Sequence, residues 1–312
     1  MGFFDRLYYG KAGKADYTTD DLPKNRFQLF FEVLRVRFWS LMRVNLMQVV
    51  FWIPFIFWTY LNLAALLSID PAAADATAQI QGYLQMYLLG LIPCIAITGP
   101  SSAAAAYVTR NWARDQHSFV WSDYKDAFKD NWKQALAVST ITGLLPSVLY
   151  YGNTFYGGMA AQNFLFFIPQ ALILLVAIVW VLMLPLLYPL MASYELRFKH
   201  LLQNALLIAL ARLPHMIGVR LLTAIPVVIL AVSTYFFFNI WVIFAVLIYY
   251  IFFGFAFSRL IYASVANGFF DKFINSRIEG VEINRGLYKD DDDDDDEEDG
   301  EADGDDEEDD AE

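Results

Sequence analysis

Long apolar runs alternate with short connections along this chain, and the lysines and arginines sit in or beside every second connection. A bilayer span takes about 20 mostly apolar residues. Six runs suit that length: 44–67, 83–108, 135–151, 164–191, 217–237 and 240–263. The third is short and the fourth long, so five spans are the competing count. The 22 basic residues divide into eight in 1–43, five in 109–134, four in 194–220 and five in 259–289. The connections 68–82 and 152–163, and the turn at Phe238 and Asn239, carry none. Cytoplasmic loops are enriched in Lys and Arg. Six spans therefore place every base on the cytoplasmic side with both termini, whereas five would strand one group on the wrong side.

Composition agrees. Hydrophobic residues make 57% of the chain and charged ones 18%, with mean hydropathy +0.39. Soluble domains carry about 25% charged residues, so a soluble enzyme and a disordered chain are both excluded. The net charge of −12 belongs to the tail, where 290–312 holds 19 Asp or Glu in 23 residues. The rest of the chain is +7, which points to anionic lipid and not to nucleic acid. Such an acidic tail is expected to stay solvated and disordered. Cys94 is the single cysteine, and no pair among Cys94, His117, His200 and His215 has zinc spacing, so no metal or cofactor is expected. Neither a cleavable signal nor a myristoylation signal is expected at the start, where Arg6 replaces the needed Ser or Thr.

The expected fold is all-α: a polytopic helical membrane protein of about six transmembrane helices in three hairpins, with interfacial amphipathic helices. Its parts are an N-terminal segment (1–37), a six-span domain (38–270), a linker (271–289) and the acidic tail (290–312). Phe27, Phe30, Phe31, Leu34 and Phe38 recur at helical spacing after Pro23, with Arg26, Arg35 and Arg37 placed to reach headgroups, which predicts an interfacial helix from Pro23 to Arg37. Two basic loops share a pattern, at 124–136 and 194–206, and spans one, three and five each hold a proline: Pro54, Pro146 and Pro226. Each hairpin is thus read as entered by an interfacial helix.

Residues 91–136 carry Gly99-Pro100, a small-residue run ending at Tyr107, Arg110 with Arg114 and Asp115, then Asp123, Phe128-Lys129, Asn131 and Lys133-Gln134-Ala135. This stretch resembles the YesL-type family of bacterial integral membrane proteins, a domain of unknown function. Arg43-Val44-Asn45-Leu46 and Asn204-Ala205-Leu206-Leu207 with Leu213-Pro214 fit as well. The resemblance covers about residues 25–270 and implies a multi-pass protein of the bacterial plasma membrane, associated with carbohydrate uptake. It brings no catalytic or ligand residues with it.

No nucleotide loop, zinc-protease motif or nucleophile elbow is present, so no catalytic residue is assigned. The six span midplanes lack ionisable residues. Arg43, Arg110, Glu195, Arg220 and Arg259 fall toward the inner span ends, where long basic side chains snorkel. The sharper reading is an inner-rim charge network with Glu195 paired to Arg220 or Arg259. Together with Arg43, Arg110, Arg114, Lys125, Lys129 and Lys133, it would contact a partner. Ser101, Ser102 and Ala103 to Ala106 are read as small residues that admit a neighbouring helix. Proline-kinked spans also suit a solute path, with Asn45, Gln48, Asn62, Thr98 and Thr223 as its polar contacts. The leading expectation is a non-enzymatic accessory or regulatory protein. Its partners would be the lipid bilayer and a transporter subunit or other membrane protein at loops 109–134 and 194–216. The alternative is a small-solute transporter or facilitator. Oligomeric state stays open.

Overall fold

The computed structural model describes residues 22–288. The expectations for the first residues and for the acidic tail lie outside them. Ten α-helices follow in order: α1 (Arg26–Val36), α2 (Phe38–Leu67), α3 (Ala76–Ala96), α4 (Thr98–Trp112), α5 (Val120–Ala160), α6 (Phe167–Ser193), α7 (Phe198–Ala211), α8 (Leu213–Val232), α9 (Ile240–Tyr249) and α10 (Phe255–Phe273). Among the described residues, six segments are long and apolar enough to cross a membrane: Phe38–Leu67, Ala76–Trp112, Val120–Ala160, Phe164–Ser193, Leu213–Phe237 and Ile240–Arg277. The chain is an all-α polytopic membrane protein.

The spans differ from the sequence reading in instructive ways. The second breaks at Ile97, between α3 and α4. Pro100 has no N–H to offer the Ala96 carbonyl one turn back, and Ser139 Oγ of α5 donates to that carbonyl instead (2.6 Å). The third span is far longer than expected, because 120–134 is no separate interfacial helix. With no Gly or Pro before Gly143, it runs straight into the span as the first turns of α5. The second basic loop does form its own helix, α7, which Leu213 and Pro214 end and restart as α8.

The core is α4 and the second half of α6. Thirteen of the fifteen residues of α4 are buried, so it is enclosed by other helices and not by lipid. Gly99 lies against α5 so closely that a Cβ would collide with the Ala135 carbonyl oxygen and Ser139 Oγ. Ala103 and Ala106 join one apolar cluster with Leu186, Leu190, Leu201, Met216 and Phe270. Ala104 and Ala105 join a second, with Leu29, Val33, Leu41, Val44 and Leu260. The small run thus admits neighbours on both sides. Outward, Ile53, Phe57, Leu174, Val176, Leu221 and Val228 are exposed, as a lipid-facing surface requires.

At one end, the basic connections meet. Asn25 caps α1 by accepting from Gln28 N (2.9 Å). Arg26 forms an ion pair with buried Asp271 at the end of α10. Asp271 also accepts from Asn275 Nδ2 and from the Asn284 amide (3.0 Å). Residues 278–288 return over this end: Arg114 donates to the Glu282 carbonyl (3.4 Å), and Tyr288 N donates to the Pro23 carbonyl (2.9 Å). Gly286 takes φ +84, a left-handed conformation that glycine adopts freely, where the strap presses on Arg114. α1 is therefore docked: Leu29 and Val33 are buried, while Phe27 and Phe31 are exposed.

Candidate functional site

A partly open cavity of about 390 Å³ lies between the helices, and all six spans contribute to its wall. That volume is at the small end of ligand sites, which run from about 300 to 1,000 Å³. Ser102 of α4, Tyr188 of α6, Arg220 and Thr223 of α8, and Arg259 and Tyr262 of α10 form its polar part. Trp52, Phe255 and Tyr250 add aromatic surface.

The order of the polar groups follows from helix geometry. Arg220 and Thr223 are three apart on α8, and Arg259 and Tyr262 are three apart on α10, so each pair shares a helix face. The two faces meet. Arg220 Nη1 donates to the Tyr262 hydroxyl (2.9 Å), which donates to Thr223 Oγ1 (3.0 Å), and Thr223 donates to the Val219 carbonyl (2.9 Å). The Arg259 guanidinium lies over the Tyr188 ring at 4.6 Å and beside the Tyr262 ring at 5.9 Å, in cation–π geometry. Its Nη2 donates to Ser102 Oγ (2.8 Å).

Other hydroxyls of the wall spend their protons on helix carbonyls. Thr98 donates to Ile95 (2.7 Å), Thr142 to Val138 (2.8 Å) and Ser258 to Gly254 (2.9 Å). Such bonds leave oxygen lone pairs toward the cavity but few hydroxyl protons.

Tyr250 begins a short π-helical turn, Tyr250–Gly254, between α9 and α10. π-turns insert one residue and leave backbone groups to be paired elsewhere. Asn45 of α2 pairs them: its Nδ2 donates to the carbonyls of Tyr250 (2.9 Å) and Ile251 (2.7 Å), and its Oδ1 accepts from Ala256 N (2.9 Å). Asn45 is thus a brace behind the cavity wall and not a path contact, which corrects its sequence assignment. Gln48, one turn on, is buried with Nε2 unpaired. Asn62 lies elsewhere, in an apolar groove with Leu63, Leu66 and Ile80, its amide turned back to the Trp58 carbonyl (2.9 Å). Of the five proposed path residues, Thr98 and Thr223 line the cavity.

The charge network is also corrected. Glu195 is exposed in the linker between α6 and α7, and no ion pair joins it to Arg220 or Arg259. Those arginines turn into the bundle because tyrosine rings and hydroxyls there offer partners that the apolar helix surface does not. Arg43, Lys125, Lys129 and Lys133 are exposed, Lys133 lying over the Trp132 ring (5.6 Å). Arg110 is half-buried beside Tyr107 and donates to Asn111 Oδ1 (3.1 Å). Tyr194 closes this end by donating to Asn275 Oδ1 (2.7 Å), and burial pushes its hydroxyl up to about 12. Ser102, Tyr188 and Tyr262 were not singled out as ligand contacts. Ser102 looked like one more small residue, and nothing local marks a tyrosine as a cavity wall.

Comparison with known proteins bears on the same helices. Residues 50–152 match DUF624, a family described as proteins of unknown function. YesL-like proteins belong to DUF624, in agreement with the resemblance at 91–136. The DUF624 match runs from within α2 to within α5, so it contains Thr98, Ser102 and the break at Ile97, while Arg220 and Arg259 lie beyond it. No curated protein and no solved structure matches the chain.

Proposed function

We propose that this protein carries a small solute across the plasma membrane, with the solute seated in the central cavity and the basic end facing the cytoplasm. The supporting observation is the polar cavity to which all six spans contribute. Midplane sites between broken helices are a recurring carrier design, and the break at Ile97 and the π-turn at Tyr250–Gly254 both adjoin this cavity. The reading requires binding and release of an unchanged solute and no chemical step. Its test is uptake into liposomes containing the purified full chain. Solute flux that Ser102→Phe abolishes by filling the cavity supports it. Flux unaffected by that substitution refutes it.

One observation favours the accessory reading as well. An open groove of about 820 Å³ lies where α5 meets the α6–α7 linker, tied by Gln134 Nε2 to the Leu196 carbonyl (2.8 Å). Asp123, Asp126 and Asp130 line it with Lys133 and Arg197. A transporter subunit docking there, in a carbohydrate-uptake assembly, would be lost on charge reversal at Lys133, which lines the groove, together with its exposed neighbours Lys125 and Lys129 on the same stretch of α5. Co-purification unchanged by that reversal would remove this loop as the contact.

A further inference from the structure

We propose that the ligand of the central cavity is an oxyanion, a carboxylate or phosphate group on a small solute, held between the guanidinium groups of Arg220 and Arg259. The inference rests on the carrier reading only in giving the cavity a ligand; it adds what that ligand is.

The argument is one of charge and donors. Both arginines line the cavity, and no aspartate or glutamate does. Among the described residues, the ion pairs are Arg26–Asp271 and Arg285–Glu282, both in the clasp at the basic end. Two cations therefore share a partly open site between apolar helices, and its lining holds no protein counter-charge. Buried charges are ordinarily paired, because an isolated one is costly to desolvate. Inside membrane domains, unpaired ionisable groups mark substrate paths.

The hydrogen bonds give the sign and geometry of the missing partner. A guanidinium carries five N–H donors. Arg259 uses one on Ser102 and Arg220 one on Tyr262. No other protein acceptor for either occurs among the described residues. The hydroxyl of Tyr262 sits between the two groups, and its proton is already given to Thr223. The charged donors left unspent at the site are guanidinium N–H groups, beside the hydroxyls of Ser102 and Tyr188, and their planar fork matches a carboxylate or phosphate. A neutral polyol would leave both positive charges uncompensated. Tyr188 holds the Arg259 plane from one face, so the fork is set before the ligand arrives.

The test uses the full chain in phosphatidylcholine nanodiscs, with thermal shift and calorimetry. Inorganic phosphate, glycerol phosphate and lactate are the anionic probes. Glycerol and lactamide are their neutral counterparts. At least one anion is expected to raise the unfolding temperature and to bind at least tenfold tighter than its neutral counterpart. Arg259→Gln and Arg220→Gln should each weaken it at least tenfold, and Arg259→Lys less. Should Arg259→Gln fail to fold, Ser102→Ala, which removes the acceptor that orients the Arg259 guanidinium, is expected to weaken binding several-fold. Nanodiscs containing phosphatidylglycerol distinguish the source: a shift there without one from soluble anions assigns the oxyanion to a lipid headgroup. Equal binding of neutral and charged partners, wild-type anion binding by the glutamine variants, or no response to any anion, lipid included, overturns the proposal. Anion binding without flux overturns the carrier reading alone, and flux of the neutral probes alone overturns the anion alone.

Discussion

Asn45→Leu distinguishes a brace from a path. Leucine keeps the side chain's size and branching but removes all three hydrogen bonds, leaving two carbonyls without this donor and the Ala256 amide without its acceptor. An unsatisfied buried backbone group costs about 1–3 kcal/mol, although interhelical polar contacts in membranes average nearer 0.6 kcal/mol. Taking about 1 kcal/mol for each of the three gives a loss of about 3 kcal/mol. At about 2–4 °C per kcal/mol for a chain of this class, the apparent unfolding temperature should fall by about 6–12 °C. Intrinsic fluorescence in nanodiscs would read it, with solute binding measured well below the transition. The expected result is a large thermal loss with binding nearly intact in the surviving folded fraction. Unchanged unfolding with lost binding or flux would refute the brace and return Asn45 to the solute path.

The remaining predictions concern Gln48, Gly99, Asp271 and Tyr194. Gln48→Leu removes a buried donor that has no partner, so stability should hold or rise by up to about 1 kcal/mol; a marked fall in unfolding temperature would show that Gln48 has a partner. Gly99→Ala forces a methyl into the α5 backbone and should destabilise by at least about 1–3 kcal/mol, the usual cost of overpacking, read as a lower unfolding temperature. Asp271→Asn leaves Arg26 unpaired and should cost about 2 kcal/mol, below the 3–5 of a fully buried pair because Arg26 keeps some water. Limited proteolysis should then cut near Arg277 and Arg285, and an unchanged cleavage pattern would count against the clasp. The folded state raises the Tyr194 hydroxyl from the ordinary 10.0 to about 12 by burial, so it favours the neutral phenol. That contribution is complete below the unfolded value and is lost as pH climbs through about 12. Tyr194→Phe should flatten the alkaline limb of the stability curve, and parallel limbs would exclude the phenol as its cause.

The spans were legible because each needs only composition and length. That the basic connections share one end was legible, because Arg26, Arg114, Tyr194 and Asp271 belong to connections on alternate turns of the chain, and their contacts show them together. Element boundaries failed where continuity depends on what is absent. Nothing between Val120 and Gly143 stops a helix, so the basic stretch and the span are one rod, although hydropathy alone divides them. The break at Ile97 required knowing that Ser139 would take the carbonyl that Pro100 leaves open.

The cavity was illegible for a different reason. Periodicity reports which face of one helix is apolar, and it is silent on which arginine turns inward. Arg220 and Arg259 are 39 residues apart and look alike as snorkelling candidates, and Asn45 and Thr223 look alike as polar path residues. Hydrogen-bond completeness separates them. Asn45 has both polar atoms engaged by backbone, so its chemistry ends within the protein and its role is architectural. Arg259 has one donor engaged by Ser102 and a positive charge that no carboxylate answers. Desolvating such a group is tolerated in an apolar bundle when something outside the chain completes it. Arg220 and Arg259 share one cavity whose lining holds no carboxylate, and the proposed oxyanion would complete them.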